Sequence, residues 1–300
     1  MTVNSPLASP SATLDKLAQW GVTTHKSLGQ HFLIDDGVVG RILRLACVQQ
    51  DEQVLEVGPG IGTLTEALLL QGHKVLALEK DNRLLPLLAD LQCRYPTTFR
   101  FEHIDATDFT THLEKSEKTQ GAARLQQSFK LVANLPYAIA ATIVLGYFQD
   151  IPALTSATVM VQKEVAARMA ADPGSKDYGA YSVKLQLLAK SQGSFPVSRL
   201  CFLPPPRVDS TVIRLDRRAD QIAQSELPAT FMLIEAAFFQ RRKTIRNSMH
   251  SFFKQQGLNL ETLDYLLEKA AIPPTVRGEC LSPVDYLLLG RQFEALQDQT

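Results

Sequence analysis

The 300-residue chain is short of several things that would place it elsewhere. It has four cysteines, Cys47, Cys93, Cys201 and Cys280, too far apart for a CxxC metal or redox pair. Scattered thiols of this kind read as small hydrophobes in a reducing compartment. The six histidines make no HxxxH or HxxE pattern, so no metal is expected. No apolar run reaches the roughly 18 residues that a membrane helix needs. The first residues lack an apolar signal core and the Arg-rich, acid-poor character of a transit peptide, so a cytoplasmic protein is expected. There is no excess of one charge: Lys plus Arg and Asp plus Glu both number 31. Only the distribution is uneven. Arg199 to Lys254 holds ten basic and five acidic residues, and Arg241-Arg242-Lys243 with Arg246 is its densest part.

What is present is an alternation. Short apolar runs at Val54–Val57, Val75–Leu78, Phe99–Ile104, Leu131–Ala133 and Thr158–Val161 read as strands. Helical patterns lie between and after them, at Leu64–Leu70, Asn82–Tyr95, Ile139–Phe148 and Glu164–Met169. This predicts an α/β fold, a Rossmann-like sheet flanked by helices, with ligands bound at the C-terminal strand ends. Two further strands are expected at Phe195–Leu200 and Val208–Leu215. Beyond about 220 the pattern is purely helical. The division expected is a disordered tail over 1–24, a catalytic domain over 25–220 with a surface insertion at about 110–128, and a smaller all-helical domain over 221–300.

Ligand-type residues stand at successive strand ends. Gly58-Pro59-Gly60-Ile61-Gly62 follows the first strand and opens a helix, which permits close backbone approach to a ligand. Glu79 ends the second strand, where a carboxylate can accept from two ribose hydroxyls. Asp105 ends the third and can accept from an adenine amino group. A dinucleotide dehydrogenase would share the glycine turn and Glu79, but would need neither Asp105 nor the next motif.

That motif is Asn134-Leu135-Pro136-Tyr137, after the fourth strand. An aromatic amine is a poor nucleophile because its lone pair is delocalised into the ring. Two acceptors aimed at its hydrogens, the Asn134 side-chain oxygen and the Leu135 carbonyl, free that pair. Pro136 stiffens the turn. Tyr137 offers a ring for a flipped base, and Phe202, before Pro204-Pro205-Pro206, is positioned to close the base's second face.

With these motifs the chain resembles the ribosomal RNA small-subunit adenine dimethyltransferase family. The carriers are KSLGQHFL (26–33), VLEVGPGIGTLT (54–65), Glu79, Asp105, NLPY (134–137), MVQKEVAARM (160–169), FLPPPRVDSTVIRL (202–215) and FFQRRKTIRNSM (238–249). The resemblance implies a class I methyltransferase that uses S-adenosyl-L-methionine. It implies dimethylation at N6 of two adjacent adenosines near the 3′ end of 16S rRNA, in a pre-30S particle, by a monomer without a metal. It puts cofactor contacts at His31, Leu33, Gly58, Glu79, Asp105 and Asn134, with Gly60 in the same turn, and the base between Tyr137 and Phe202. The family often has Asn where this chain has His31. Arg241, Arg242, Lys243 and Arg246 are expected to clamp rRNA phosphates. A DNA adenine methyltransferase, which would share the NLPY chemistry, and a non-catalytic RNA-binding factor of the same fold are the competing readings.

Overall fold

Val54, Leu55, Val75, Ala77, Leu131 and Val132 are all almost wholly buried. Strands that are apolar on both faces need cover on both, which places them in the middle of a helix-flanked sheet. The computed structural model describes residues 3–22, 30–50, 52–116, 128–220, 222–256 and 260–297. Helix α1 (Pro10–Gln19) precedes a two-residue strand β1 (Phe32–Leu33) and helix α2 (Asp36–Ala46). The alternation then runs β2 (Gln53–Val57), α3 (Thr63–Leu70), β3 (Lys74–Glu79), α4 (Leu85–Arg94), β4 (Phe99–His103), α5 (Phe109–Ser116), β5 (Phe129–Asn134), α6 (Ala140–Asp150), β6 (Leu154–Gln162) and α7 (Lys163–Met169). After α8 (Ala180–Leu188) come β7 (Ala189–Val197), β8 (Phe202–Leu203) and β9 (Ser210–Arg217). The helices α9 (Leu227–Phe238), α10 (Ile245–Gln256), α11 (Leu260–Lys269) and α12 (Pro283–Gln297) complete the chain.

Seven strands form one sheet in the order β4-β3-β2-β5-β6-β9-β7. The pairs from β4 through β6 are parallel, and β9 runs antiparallel to β6. Chain order reverses between β2 and β5, and such a switch point opens a crevice at the C-terminal strand ends. β1 and β8 pair separately, Phe32 with Leu203 and Leu33 with Phe202.

The chain divides into two compact units. One comprises Met1–Ala166 with Ser191–Arg217, the other Ala167–Lys190 with Arg218–Thr300. This differs from the expected division, a tail over 1–24 and one domain over 25–220, in giving Ala167–Lys190 to the second unit. Ala167–Lys190 joins the helical unit because Tyr178, Val183 and Leu187 enter the core formed by Ile234, Met249, Leu266 and Tyr286. The Tyr178 hydroxyl also donates to the Leu281 carbonyl at 2.9 Å.

The N-terminal tail expected over 1–24 is folded over its described residues. The Asn4 and Ser5 amides donate to Asp36 Oδ1 at 3.0 and 2.8 Å, and Ser9 caps α1. Leu17 and Val22 enter the core of the sheet unit, which a composition rich in Ser, Thr and Pro conceals. Of the insertion expected at 110–128, the first part belongs to α5, and residues 117–127 lie outside the described residues. So do Lys26–Gly29 of the first motif. Among the described residues no helix is long and apolar enough to cross a membrane.

Candidate active site

Four strand ends open on one cavity of about 500 Å³, within the range common for small-molecule sites. Gly58 and Gly60 after β2, Glu79 at the end of β3, Asp105 after β4 and Asn134 at the end of β5 all line it. His31, Leu33, Leu135, Pro136 and Tyr137 line it too. The sequence-predicted residues of the cofactor pocket and of the reacting pocket therefore share one space, with Phe202 the exception.

The glycine turn is a backbone requirement. Gly58 and Gly60 have φ of +68° and +59°, a region that costs other residues. At Gly60 a Cβ would also stand 3.1 Å from the Phe32 ring. The turn delivers the chain to α3, whose capping residue Gly62 makes no side-chain cap. Thr63, the first residue of that helix, has a buried hydroxyl with no partner among the described residues, and it lines the cavity. Uncapped helix N–H groups and a spare hydroxyl suit a carboxylate.

Glu79 is buried, and its Oε1 accepts from the Asp81 amide at 2.7 Å. Burial raises its pKa, against backbone hydrogen bonds that lower it. Asp81 is held in turn by Gln30 Nε2 and Arg83 Nε, each at 2.8 Å. The Arg83 hydrogen bond foremost brings the Asp81 carboxyl down to about 2. Asp105 caps the short turn after β4, its Oδ1 accepting from the Thr107 amide at 3.1 Å and hydroxyl at 2.8 Å. Its Oδ2 pairs with the Lys80 ammonium, which lowers its pKa. Glu56, deeper in the same cavity, accepts from Thr65 Oγ1 at 2.6 Å, and burial pushes its carboxyl up to about 8.

At the reacting end, Asn134 Nδ2 donates to the His31 carbonyl oxygen at 3.2 Å. The Leu135 amide donates to the Met160 carbonyl at 3.1 Å. Among the described residues the Leu135 carbonyl accepts no hydrogen bond. The Pro136 carbonyl closes the turn by accepting from the Ile139 amide. The Tyr137 hydroxyl lies 2.7 Å from Ser210 Oγ, a fully buried hydroxyl. The His31 ring stacks on the Tyr137 ring with centroids 5.9 Å apart, and His31 Nδ1 donates to the Pro204 carbonyl at 2.7 Å.

Phe202 does not line the cavity. It is 2% exposed, pairs with Leu33 across the small sheet and packs in the core of the sheet unit. β8 turns this side chain inward, on the strand that pairs with Leu33, which does line the cavity. The basic tetrad of the helical unit also splits. Arg241 Nε donates to Glu279 at 2.9 Å, and its Nη2 donates to the carbonyls of Lys176 and Tyr178 at 2.7 and 2.9 Å. Arg246 forms a two-pronged pair with Asp264. Arg242 and Lys243 are exposed, and no described side chain pairs with them.

The sequence reading missed Glu56, Thr63, Lys80 and Ser210. Ser210 had a signal, as part of the FLPPPRVDSTVIRL stretch. Lys80 had one in its place beside Glu79. Thr63 and Glu56 look like ordinary helix and strand residues until the cavity is seen.

The donor set fits S-adenosyl-L-methionine. Glu79 offers an acceptor to ribose hydroxyls, Asp105 one to an adenine amino group, and the Thr63 end suits an amino-acid carboxylate. Comparisons with known proteins agree. A family model described as ribosomal RNA adenine dimethylase matches residues 21–287. Ribosomal RNA small subunit methyltransferase A of Oceanobacillus iheyensis is 37% identical over 302 residues, covering all of both chains. The protein of that name from Staphylococcus epidermidis is 38% identical over 300 residues, covering 98% of each. Among solved structures, a dimethyladenosine transferase from Plasmodium falciparum superposes with a TM-score of 0.68 at 22% identity, covering 88% of this chain and 98% of its own. The 23S rRNA methyltransferase ErmE superposes at 0.63 with 25% identity, over 88% and 99%. With a family model spanning most of its length and full-length relatives above one-third identity, the chain belongs to the ribosomal RNA adenine dimethylase family.

Proposed function

We propose that the chain dimethylates two adjacent adenosines near the 3′ end of small-subunit rRNA, in a pre-30S particle, and works as a monomer in the cytoplasm. The reaction class comes with the family: S-adenosyl-L-methionine-dependent dimethylation of adenine N6 in ribosomal RNA. The relatives named for the small subunit support the choice of rRNA.

One observation carries the chemistry: the tether between the Asn134 amide and the His31 carbonyl. It leaves Asn134 Oδ1 as an acceptor in a cavity that also holds Glu79 and Asp105. The cofactor, when bound, supplies a methyl group activated by a sulfonium. Asn134 Oδ1 and the Leu135 carbonyl accept from the two hydrogens of the target amine and draw its lone pair out of conjugation. Tyr137 stacks on the extruded base, a contact worth about 1–3 kcal/mol. Orientation of this kind removes much of a displacement barrier. The amine becomes acidic only as it is alkylated, so its proton can leave to water and the site needs no strong base.

Arg242 and Lys243, rather than the whole tetrad, are the phosphate contacts of this reading. The direct test offers unmethylated small subunits, protein-free rRNA and duplex DNA in parallel. Preferential methylation of small subunits is expected, and preferential methylation of DNA would overturn the substrate assignment.

A further inference from the structure

We propose that Phe239 is a stacking platform for an unpaired base of the rRNA, presented beside Arg242 and Lys243 so that one turn of the helical unit takes a base and its flanking phosphates together. This rests on the reading of rRNA as the substrate. All fourteen phenylalanines lie among the described residues, and Phe239 alone is exposed, at 47%. Its neighbour Phe238 goes the other way, packing on Tyr178 and Tyr286 with ring centroids 6.4 and 6.1 Å apart. The two aromatics at the end of α9 thus divide between core and solvent. Phe239 is held from one side by the half-buried Phe252 of α10, with centroids 5.7 Å apart and planes at 75°, an edge-to-face contact.

The backbone beyond Phe239 is fixed. The Lys243 amide donates to the Gln240 carbonyl at 2.8 Å, a closure that keeps the ends of such a turn within about 7 Å. The Gln240 amide donates to Ser248 Oγ at 2.9 Å, and that hydroxyl donates to the Ala236 carbonyl at 2.8 Å. Arg241 is spent on Glu279 and on the carbonyls of Lys176 and Tyr178. Arg242 and Lys243 remain exposed, next to the exposed ring. Charge decides the occupant. From Ala236 to Lys254 the chain has five cations and no carboxylate. A purely apolar partner gains nothing from that field, whereas a polyanion with a free base matches both the field and the ring. Bases inside a duplex already stack on each other, so the base belongs to a single-stranded loop, bulge or end.

The test measures the affinity of the full chain for unmethylated small subunits across a range of salt, with S-adenosyl-L-methionine affinity measured separately by calorimetry. Phe239→Ala is expected to weaken subunit binding about 5- to 150-fold, the range of one base–aromatic stack. Its salt slope should match that of wild type, because a stacked base releases no counterions. Cofactor Kd should stay within about twofold. Phe239→Trp, which keeps a π-face, should bind at least as tightly as wild type. Phe239→Leu, which keeps apolar bulk without a π-face, should be as weak as Phe239→Ala. Subunit affinity of Phe239→Ala within twofold of wild type would overturn the proposal. So would full affinity in Phe239→Leu, because the contact would then be apolar burial against a protein. Should Phe239→Ala fail to fold, the Leu and Trp variants carry the same test. Wild type that prefers duplex DNA to small subunits would instead overturn the rRNA reading, so the two failures are distinct.

Discussion

Asn134 Nδ2 lies 3.2 Å from the carbonyl oxygen of His31, a residue 103 positions earlier in the chain. A carbonyl oxygen only accepts, so the nitrogen end of the amide is the end that faces it. The oxygen end is thereby left for the cavity. Asn134→Asp keeps the size and sets two acceptors against each other. It is expected to lower kcat about 100- to 1,000-fold, as loss of one fixed polar contact at a reacting centre does. Single-turnover transfer at saturating cofactor measures this, and an Asp variant within tenfold of wild type would contradict it.

The Tyr137–Ser210 hydroxyl pair makes a prediction about coupling. Tyr137→Phe leaves the buried Ser210 hydroxyl without its partner, at a cost of about 1–3 kcal/mol, and Ser210→Ala leaves the half-buried Tyr137 hydroxyl without its own. The double variant should cost less than the sum, since it removes both groups. Urea denaturation of the four proteins closes the cycle. Strict additivity would mean that the two hydroxyls do not bond.

Glu56 makes stability depend on pH. Its carboxyl titrates near 8 in the fold, raised by burial from an ordinary 4.5. Between those values the folded chain keeps a proton that the unfolded chain has lost. Stability contributed by this group therefore falls as pH rises from 4.5 to 8. Glu56→Gln removes the penalty and should stabilise the protein above pH 8, with a ceiling of about 5 kcal/mol. Near pH 4.5 it should give no such gain. Thermal melts of both proteins across that window check the sign, and a gain that shrinks with rising pH would contradict it.

The split of the basic tetrad separates binding from stability. Neutralising Arg242 and Lys243 should lower the salt slope of rRNA binding by about 2, one for each phosphate contact, with the melting temperature unchanged. Arg241→Gln should instead lower the melting temperature by about 2–4 °C, because Arg241 ties Glu279 to the carbonyls of Lys176 and Tyr178. Equal salt slopes for wild type and the Arg242/Lys243 variant would remove the phosphate role.

The cofactor end of the site was readable because Gly58, Glu79, Asp105 and Asn134 each follow an apolar run, and parallel strands of a wound sheet all end on the same edge. What was hidden depends on contacts between distant parts of the chain. Phe202 reads as a pocket aromatic beside three prolines, yet its strand pairs with Phe32–Leu33 and turns it into the core. Arg241 reads as a free cation until the carbonyls of Lys176 and Tyr178, more than sixty residues away, meet it. The first residues read as a tail because nothing local shows that Asp36 will accept from Asn4 and Ser5. Glu56 has no local signal of its raised pKa, which comes from burial and from the nearby Glu79 charge.

The most direct measurement is product analysis after reaction of wild type and Asn134→Ala with unmethylated small subunits and methyl-labelled cofactor. The rRNA is digested and its nucleosides are separated. The expected result is label in N6,N6-dimethyladenosine from two adjacent 3′-terminal sites with wild type, and almost none with Asn134→Ala. Label in a nucleoside other than the N6-methylated adenosines, or equal incorporation by the two proteins, would contradict the role given to this site.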